Sequence, residues 1–488
     1  MSGLASLVRQ AGWDAVLPDC GPDDIDRMAE STATVDKALA AGVRIYGLTQ
    51  GFGPLVEFTA ASEAEQGTSL IAHLGSGQGR PLDPDVCRLI VWLRLVSMRK
   101  GYSAVSPEFW HVLADLWNRG FTPAIPRDGT VSASGDLQPL AHAALAYAGH
   151  GDAWVRVENE WTLRPAAETL AALSAEPVEW PVREALAFVN GTGASLAVAI
   201  VNQQSATRLV RAVTLLTARI VFLLRANREH YHPGVAVARG QPGQSTVARW
   251  LRESLPPDTA RDPARPLQEP YSLRCAPQVL GAVLDQLDSA GNVLLNEAFG
   301  CTDNPLTYET EVLHGGNFHA MPVGLASDQI GLALHQAAYL AERQLALICD
   351  PGTNGGLPPM LTPRPGRGCG LAGVQISATS FVSRIRQLVY PASLTSLPTN
   401  GWNQDHVPMA LNGANSVADA LDLAWLVAGS LAVGAAQLAS MVGEQPRDEL
   451  WAALARISPP LAADRPLAGE VRAARDLLAE AAGQLFRP

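Results

Sequence analysis

The chain has 488 residues, 47% hydrophobic and only 17% charged, with a formal net charge of −11. That balance excludes a disordered chain, which needs low hydrophobicity and high charge, and argues against a nucleic-acid partner, which needs clustered positive charge. Of its 36 basic residues only Lys37 and Lys100 are lysines, one in a polar helical stretch and one in a turn, so a desolvated lysine Schiff base has little to be built from.

The length suggests about three domains or one large helical body. Residues 1–40 carry caps and short helical patterns, and the opening stretch MSGLASLVRQAGWDAVLPDC has no signal-peptide pattern. Residues 41–80 are punctuated by glycine in YGLTQGFGP and HLGSGQGRP, which predicts loops that bring backbone close to a partner. Residues 83–120 read as helices with Trp and Leu at helical spacing. A strong helix is predicted from an Asp136 N-cap, with Leu137, Leu140, Ala141, Ala144, Leu145 and Ala148 on one face and Gly149 as its stop. Residues 150–180 look irregular, with a hairpin-like VRVENEWTLRP. Long helices are predicted over 194–226, 276–298 and 322–349, with Pro-rich connections at 252–270, and 370–488 is helical again. The prediction is a mainly α fold with a long central helical bundle. It divides into an N-terminal loop-rich domain (1–181), the central bundle (182–410) and a C-terminal helical segment (411–488).

The longest nearly apolar run, Leu423 to Ala436, has 14 residues, short of the roughly 20 that span a bilayer, so no membrane partner is expected. Cysteines at 20, 87, 275, 301, 349 and 369 form no C-x-x-C pair and no zinc spacing. They predict no metal and suit a reducing, cytoplasmic setting.

The segment GTVSASGDLQPLAH (129–142) is the most informative. Ala133-Ser134-Gly135 stands directly before the predicted helix. Glycine there lets its backbone nitrogen approach the carbonyl two residues earlier, and the serine between can lose water. Together these steps make an electrophile from the chain itself, and the helix N-terminus favours negative charge developing on it.

VSASGDLQPLAH resembles the signature of the aromatic amino acid ammonia-lyase family, which includes histidine, phenylalanine and tyrosine ammonia-lyases and related aminomutases. RIYGLTQGFGP (44–54), FVNGTGAS (188–195), YSLRCAPQVLG (271–281), TDNP (302–305), LHGGNFH (313–319) and TNGWNQD (399–405) match further blocks in the family's order. The resemblance implies that Ala133, Ser134 and Gly135 cyclise to 4-methylideneimidazol-5-one (MIO), a cofactor needing no metal. It makes Tyr46 the base on a mobile loop that takes the β-proton, and Gly53 a close backbone neighbour of the substrate. It makes Asn190 a donor to the MIO oxygen and Arg274 the clamp on the substrate carboxylate, with Tyr271 one helical turn away supporting proton transfer. Gln278, Phe318 and Asn403 would support the MIO, while Leu137, Asn304, Asn400 and Gln404 would line the substrate site. A homotetramer with active sites shared between chains is implied as well.

In LIAHLGSG (70–77), His73-Leu74 resembles the selectivity pair of tyrosine lyases; phenylalanine lyases carry an apolar pair and histidine lyases Ser-His. NQDH lacks the glutamate that follows Asn-Gln in histidine lyases. The expected reaction is therefore elimination of ammonia from L-tyrosine to give 4-hydroxycinnamate. Phenylalanine or another arylalanine as substrate, a tyrosine 2,3-aminomutase, and a catalytically silent helical scaffold are the competing readings. Gln50, Ser69, Gln241, Ala372 and Arg384 depart from the family pattern and bear on substrate identity.

Overall fold

The computed structural model describes residues 3–58, 63–158, 160–256, 261–446, 448–484 and 486. It is mainly α with long helices, as the sequence predicts. Residues 257–260 of the Pro-rich connection and Asn159 of the hairpin lie outside the described residues.

Two compact units are present. The first comprises Met1–Val201, Gly291–Asp328 and Pro391–Asn415, and the second Asn202–Ala290, Gln329–Tyr390 and Ser416–Pro488. These units are assembled from interleaved segments, whereas the sequence reading divides the chain into consecutive stretches at 181 and 410. The physical reason is visible in the helices: the boundaries at 201, 290, 328 and 415 fall inside Gly193–Leu223, Ala276–Ala298, Met321–Cys349 and Ala410–Met441. A composition scan looks for linkers and finds none at such points. Val182–Leu223 and Ala410–Met441 are long and apolar enough to cross a membrane by length and composition, but 89% and 78% of their most apolar windows are buried in the protein, as in core helices.

In the first unit, Pro22–Ala40, Pro84–Met98 and Pro107–Asn118 each begin at proline, whose missing N–H costs nothing in the first turn. Ser106 caps the last of these by accepting from the Phe109 N–H at 3.3 Å. Trp110 and Trp117 are fully buried, and their indole N–H groups donate to the carbonyls of Leu95 and Arg88 at 2.9 and 3.1 Å. The predicted hairpin forms as Asp152–Val157 paired antiparallel with Glu160–Pro165, and Thr122–Pro123 joins it as a third strand. Two further small sheets, Gln78–Pro81 with Pro126–Asp128 and Leu306–Tyr308 with Glu311–Leu313, pin loops that carry the site.

The polar floor of this unit is unusually charged. Arg94 is buried and donates to the carbonyls of Phe188, Ala187 and Thr302. Buried Arg183 pairs with buried Asp303 and also donates to the Ser103 carbonyl at 2.8 Å. Removing one member of such a pair strands the other charge in the interior. Arg183→Met should therefore lower stability by about 3–5 kcal/mol, read as a shift in the urea midpoint at unchanged slope. A shift below 1 kcal/mol would show that water reaches Asp303.

The second unit contains the helices Pro242–Ser254, Ala372–Leu388, Glu449–Ile457 and Ala468–Gln484. Arg219 pairs with Glu444 and lies 4.9 Å from the Trp451 ring.

Candidate active site

Ala133-Ser134-Gly135 precedes the helix Leu137–Tyr147, with Ser134 half-buried and its neighbours buried. Gly135 adopts φ +71°, a left-handed conformation that glycine accepts freely. A Cβ there would collide with the Gly191 backbone, and the next amide, of Asp136, donates to the Gly191 carbonyl at 2.7 Å. An isolated backbone bridge joins Ala133 and Gly135 across Ser134, so the tripeptide is folded back on itself.

Asp136 was expected to cap its own helix. It precedes that helix without a side-chain capping bond. Its buried carboxylate instead accepts from the backbone N–H and hydroxyl of Ser195, at 2.6 and 2.8 Å, and from the Ser132 hydroxyl at 2.7 Å. Asp136 thus caps the first turn of Gly193–Leu223, which begins at the VNGTGAS block. Burial pushes its carboxyl above the usual range against the pull of these donors. Ser132 meanwhile has φ +57°, and its hydroxyl accepts from the Leu411 N–H at 3.2 Å.

Two amides reach the serine. Asn190, at the C-terminal end of Val182–Val189, donates from Nδ2 to the Ser134 carbonyl at 2.8 Å. Its Oδ1 is buried without a partner. Gln404 donates from Nε2 to the Ser134 hydroxyl at 2.7 Å, from a turn closed by paired bonds between Thr399 and Gln404. Asn400 in that turn has φ +50°, and it and Asn403 are exposed, linked by the Asn403 N–H to the Asn400 carbonyl at 3.2 Å. The Ala320 N–H donates to the Ser132 carbonyl at 3.3 Å, so half-buried Phe318 stands two residues from a direct contact with this loop. Leu137, also half-buried, opens the following helix.

The Tyr46 loop is built on turns. The Gly53 N–H donates to the Tyr46 hydroxyl at 2.8 Å, and Gly53 has φ +55°, which glycine accepts freely. Burial raises the phenol's pKa and the Gly53 amide opposes it. The Tyr46 backbone N–H donates to His314 Nε2 at 3.1 Å, a contact that attention to Phe318 alone overlooks in LHGGNFH. Gln50 is buried and accepts from Arg44 at 2.9 Å. Asn304, buried, accepts from the Gly315 N–H at 2.8 Å, which fixes the glycine pair after His314.

The helix Glu63–Leu74 ends in His73-Leu74, with Leu74 buried and His73 exposed. His73 Nδ1 lies 3.0 Å from the Ser69 carbonyl. A cavity of about 1200 Å³ lies beside this strip, lined by Leu48, Ile71, Ala72 and Trp180, but Ser134 is not among its lining residues.

All these residues belong to the first unit. Tyr271, Arg274 and Gln278 belong to the second. There Tyr271 and Arg274 form the ends of a single helical turn, with the guanidinium carbon 4.7 Å from the Tyr271 ring centre. The predicted shared face is present. Tyr271 is 71% exposed, and the Gln278 Oε1 is buried without a partner.

The sequence matches the model of a family described as aromatic amino acid lyase over residues 5–459. The fold is similar to tyrosine aminomutase from Streptomyces globisporus at 30% identity and TM-score 0.89, covering 98% of this chain and 95% of that one. It is also similar to phenylalanine aminomutase from Pantoea agglomerans (26% identity, TM-score 0.90, 98% of each chain). A third similar structure is histidine ammonia-lyase from Trypanosoma cruzi (26% identity, TM-score 0.87, 99% and 94%).

Proposed function

The chain belongs to the aromatic amino acid lyase family and is a carbon–nitrogen lyase of small aromatic amino acids; from that premise we propose that its substrate is L-tyrosine and its product 4-hydroxycinnamate.

His73 carries the substrate assignment. The Ser69 carbonyl can only accept, so Nδ1 carries a proton, and in that tautomer Nε2 is the acceptor. A tyrosine hydroxyl can donate to it, beside apolar Leu74. Phenylalanine offers that nitrogen no donor, so tyrosine should be the preferred substrate. His73→Phe removes the acceptor and adds apolar surface, so the ratio of kcat/KM for tyrosine over phenylalanine should invert. A ratio that stays put would remove His73 as the reader of the ring.

We infer that Ala133-Ser134-Gly135 cyclises to MIO. The Gly135 nitrogen bonds to the Ala133 carbonyl carbon with loss of water, and Ser134 loses a second water to leave a methylene. The folded-back tripeptide, the left-handed Gly135 and the absence of room for a Cβ support this. The MIO supplies an electrophile for the substrate amine. Asn190 holds the Ser134 oxygen with an aimed N–H, suited to charge developing there. Gln404 orients the serine before cyclisation. Tyr46 takes the β-proton, its hydroxyl steadied by Gly53.

Burial pushes the Tyr46 phenol above its ordinary value. Arg274 is proposed to clamp the substrate carboxylate through its planar fork. The exposure of Tyr271 and of Leu325 and Leu332 on one long helix, both 55% exposed, supports a homotetramer whose sites are completed by partner chains.

A tyrosine aminomutase is the second reading, favoured by the 30% identity to the Streptomyces globisporus enzyme. Incubation with L-tyrosine and separation of products decides between them: 4-hydroxycinnamate alone supports the lyase, and β-tyrosine supports the mutase. No turnover of any aromatic amino acid would overturn both.

A further inference from the structure

We propose that a tryptophan-lined cleft in the first unit, remote in sequence from the catalytic loops, is a second, non-catalytic site for a planar aromatic carboxylate, and that its occupant is the arylacrylate product. The product's identity rests on the tyrosine lyase reading above; the cleft's chemistry does not.

The cleft has a volume of about 390 Å³ and is lined by Trp13, Trp154 and Trp161 together with Arg156, Arg164 and Glu168. That volume suits a single small ligand. Strand register explains the arrangement. Trp161 pairs directly with Arg156, and Trp154 with Leu163; alternation along the strands then sets Trp154, Arg156 and Trp161 on one face.

The indoles are held in place before any ligand arrives. Trp13 and Trp161 lie 4.5 Å apart between ring centres, tilted by 36°. The Trp13 N–H donates to Asp85 at 2.5 Å, and the Arg88 guanidinium carbon sits 4.8 Å from its ring centre. The Trp154 N–H donates to the Leu82 carbonyl at 3.1 Å. Stacking surfaces already fixed lose little freedom on binding.

The charge is complementary to an acid. Arg156 and Arg164 are exposed, and neither makes an ion pair among the described residues. Arg119, at the rim, is tied to Asp115. Among the described lining residues Glu168 is the one acid that opposes them, so a carboxylate is favoured over an amine. The three indoles and the Arg156 fork on their face together fit an aryl group joined to a carboxylate.

The test is equilibrium dialysis of wild-type protein, Arg156→Glu and Trp161→Leu against 4-hydroxycinnamate, with 4-hydroxybenzyl alcohol as the uncharged aryl control. Wild type should bind one more equivalent of the acid per chain than either variant, and none of the alcohol at that site. Turnover should be unchanged in both variants, which also shows that they fold. Equal stoichiometry in wild type and both variants overturns the proposal. Protein that binds the extra equivalent but turns over no amino acid sinks the lyase reading and leaves the cleft an aryl-carboxylate site. Normal turnover without the extra equivalent sinks the cleft alone.

Discussion

Ser134→Ala should abolish turnover, by on the order of 10⁴-fold or more, while leaving the helical fold in place. The serine oxygen enters one side-chain bond, from Gln404, worth about 0.5–1.5 kcal/mol. The Asp136 carboxylate, which ties this loop to Gly193–Leu223, keeps its partners in the variant. Intact-mass measurement supplies the second readout. Wild type should be lighter than its sequence by two water molecules, localised to the peptide holding Ala133-Ser134-Gly135, and the variant should have the full mass. An unmodified wild-type peptide would leave the chain without an electrophile and revive the silent scaffold.

Tyr46→Phe is expected to lower kcat by about 10²–10⁴-fold, the usual contribution of a positioned base, and to keep the mass deficit, because Tyr46 lies on a separate loop whose hydrogen bonds go to Gly53 and His314. The pH profile carries the same argument. The base acts deprotonated, and burial holds its pKa above the ordinary phenol value. Activity in wild type should therefore climb as pH rises toward the alkaline range, and the climb should vanish in the variant. A Tyr46→Phe enzyme with near-normal kcat would assign proton removal to another group.

Tyr271 and Arg274 lie within one helical turn, where spacing alone implies the shared face that is present; the bond from Gly53 to Tyr46, seven residues apart on a loop, is not specified by spacing. The Leu137–Tyr147 helix follows from its apolar period. What escaped the sequence are contacts across long separations. Asp136 has the look of a local cap, but its carboxylate is claimed by Ser195, 59 positions on. His314 supports Tyr46 from 268 positions away, and no local pattern marks which loop its ring will meet. The interleaved units escaped for a related reason: four of their five boundaries lie inside uninterrupted helices, which carry no turn chemistry. Likewise the tryptophan cleft needed a register, and Arg156 opposite Trp161 is a pairing that composition does not specify.

The left-handed Gly135, wedged against Gly191, has a consequence for the chain's history. Its geometry depends on segments that meet only after the first unit has folded, so the ring closure proposed above would follow folding. Being covalent, that closure would not be undone by urea. A matured chain driven out of its native state would then carry a rigid ring where the newborn chain had free torsions, and its disordered ensemble would have fewer conformations to lose. Birth and refolding are then two different reactions. The stability read from a denaturation curve belongs to the second of them, and Ser134→Ala is the variant that reports on the first.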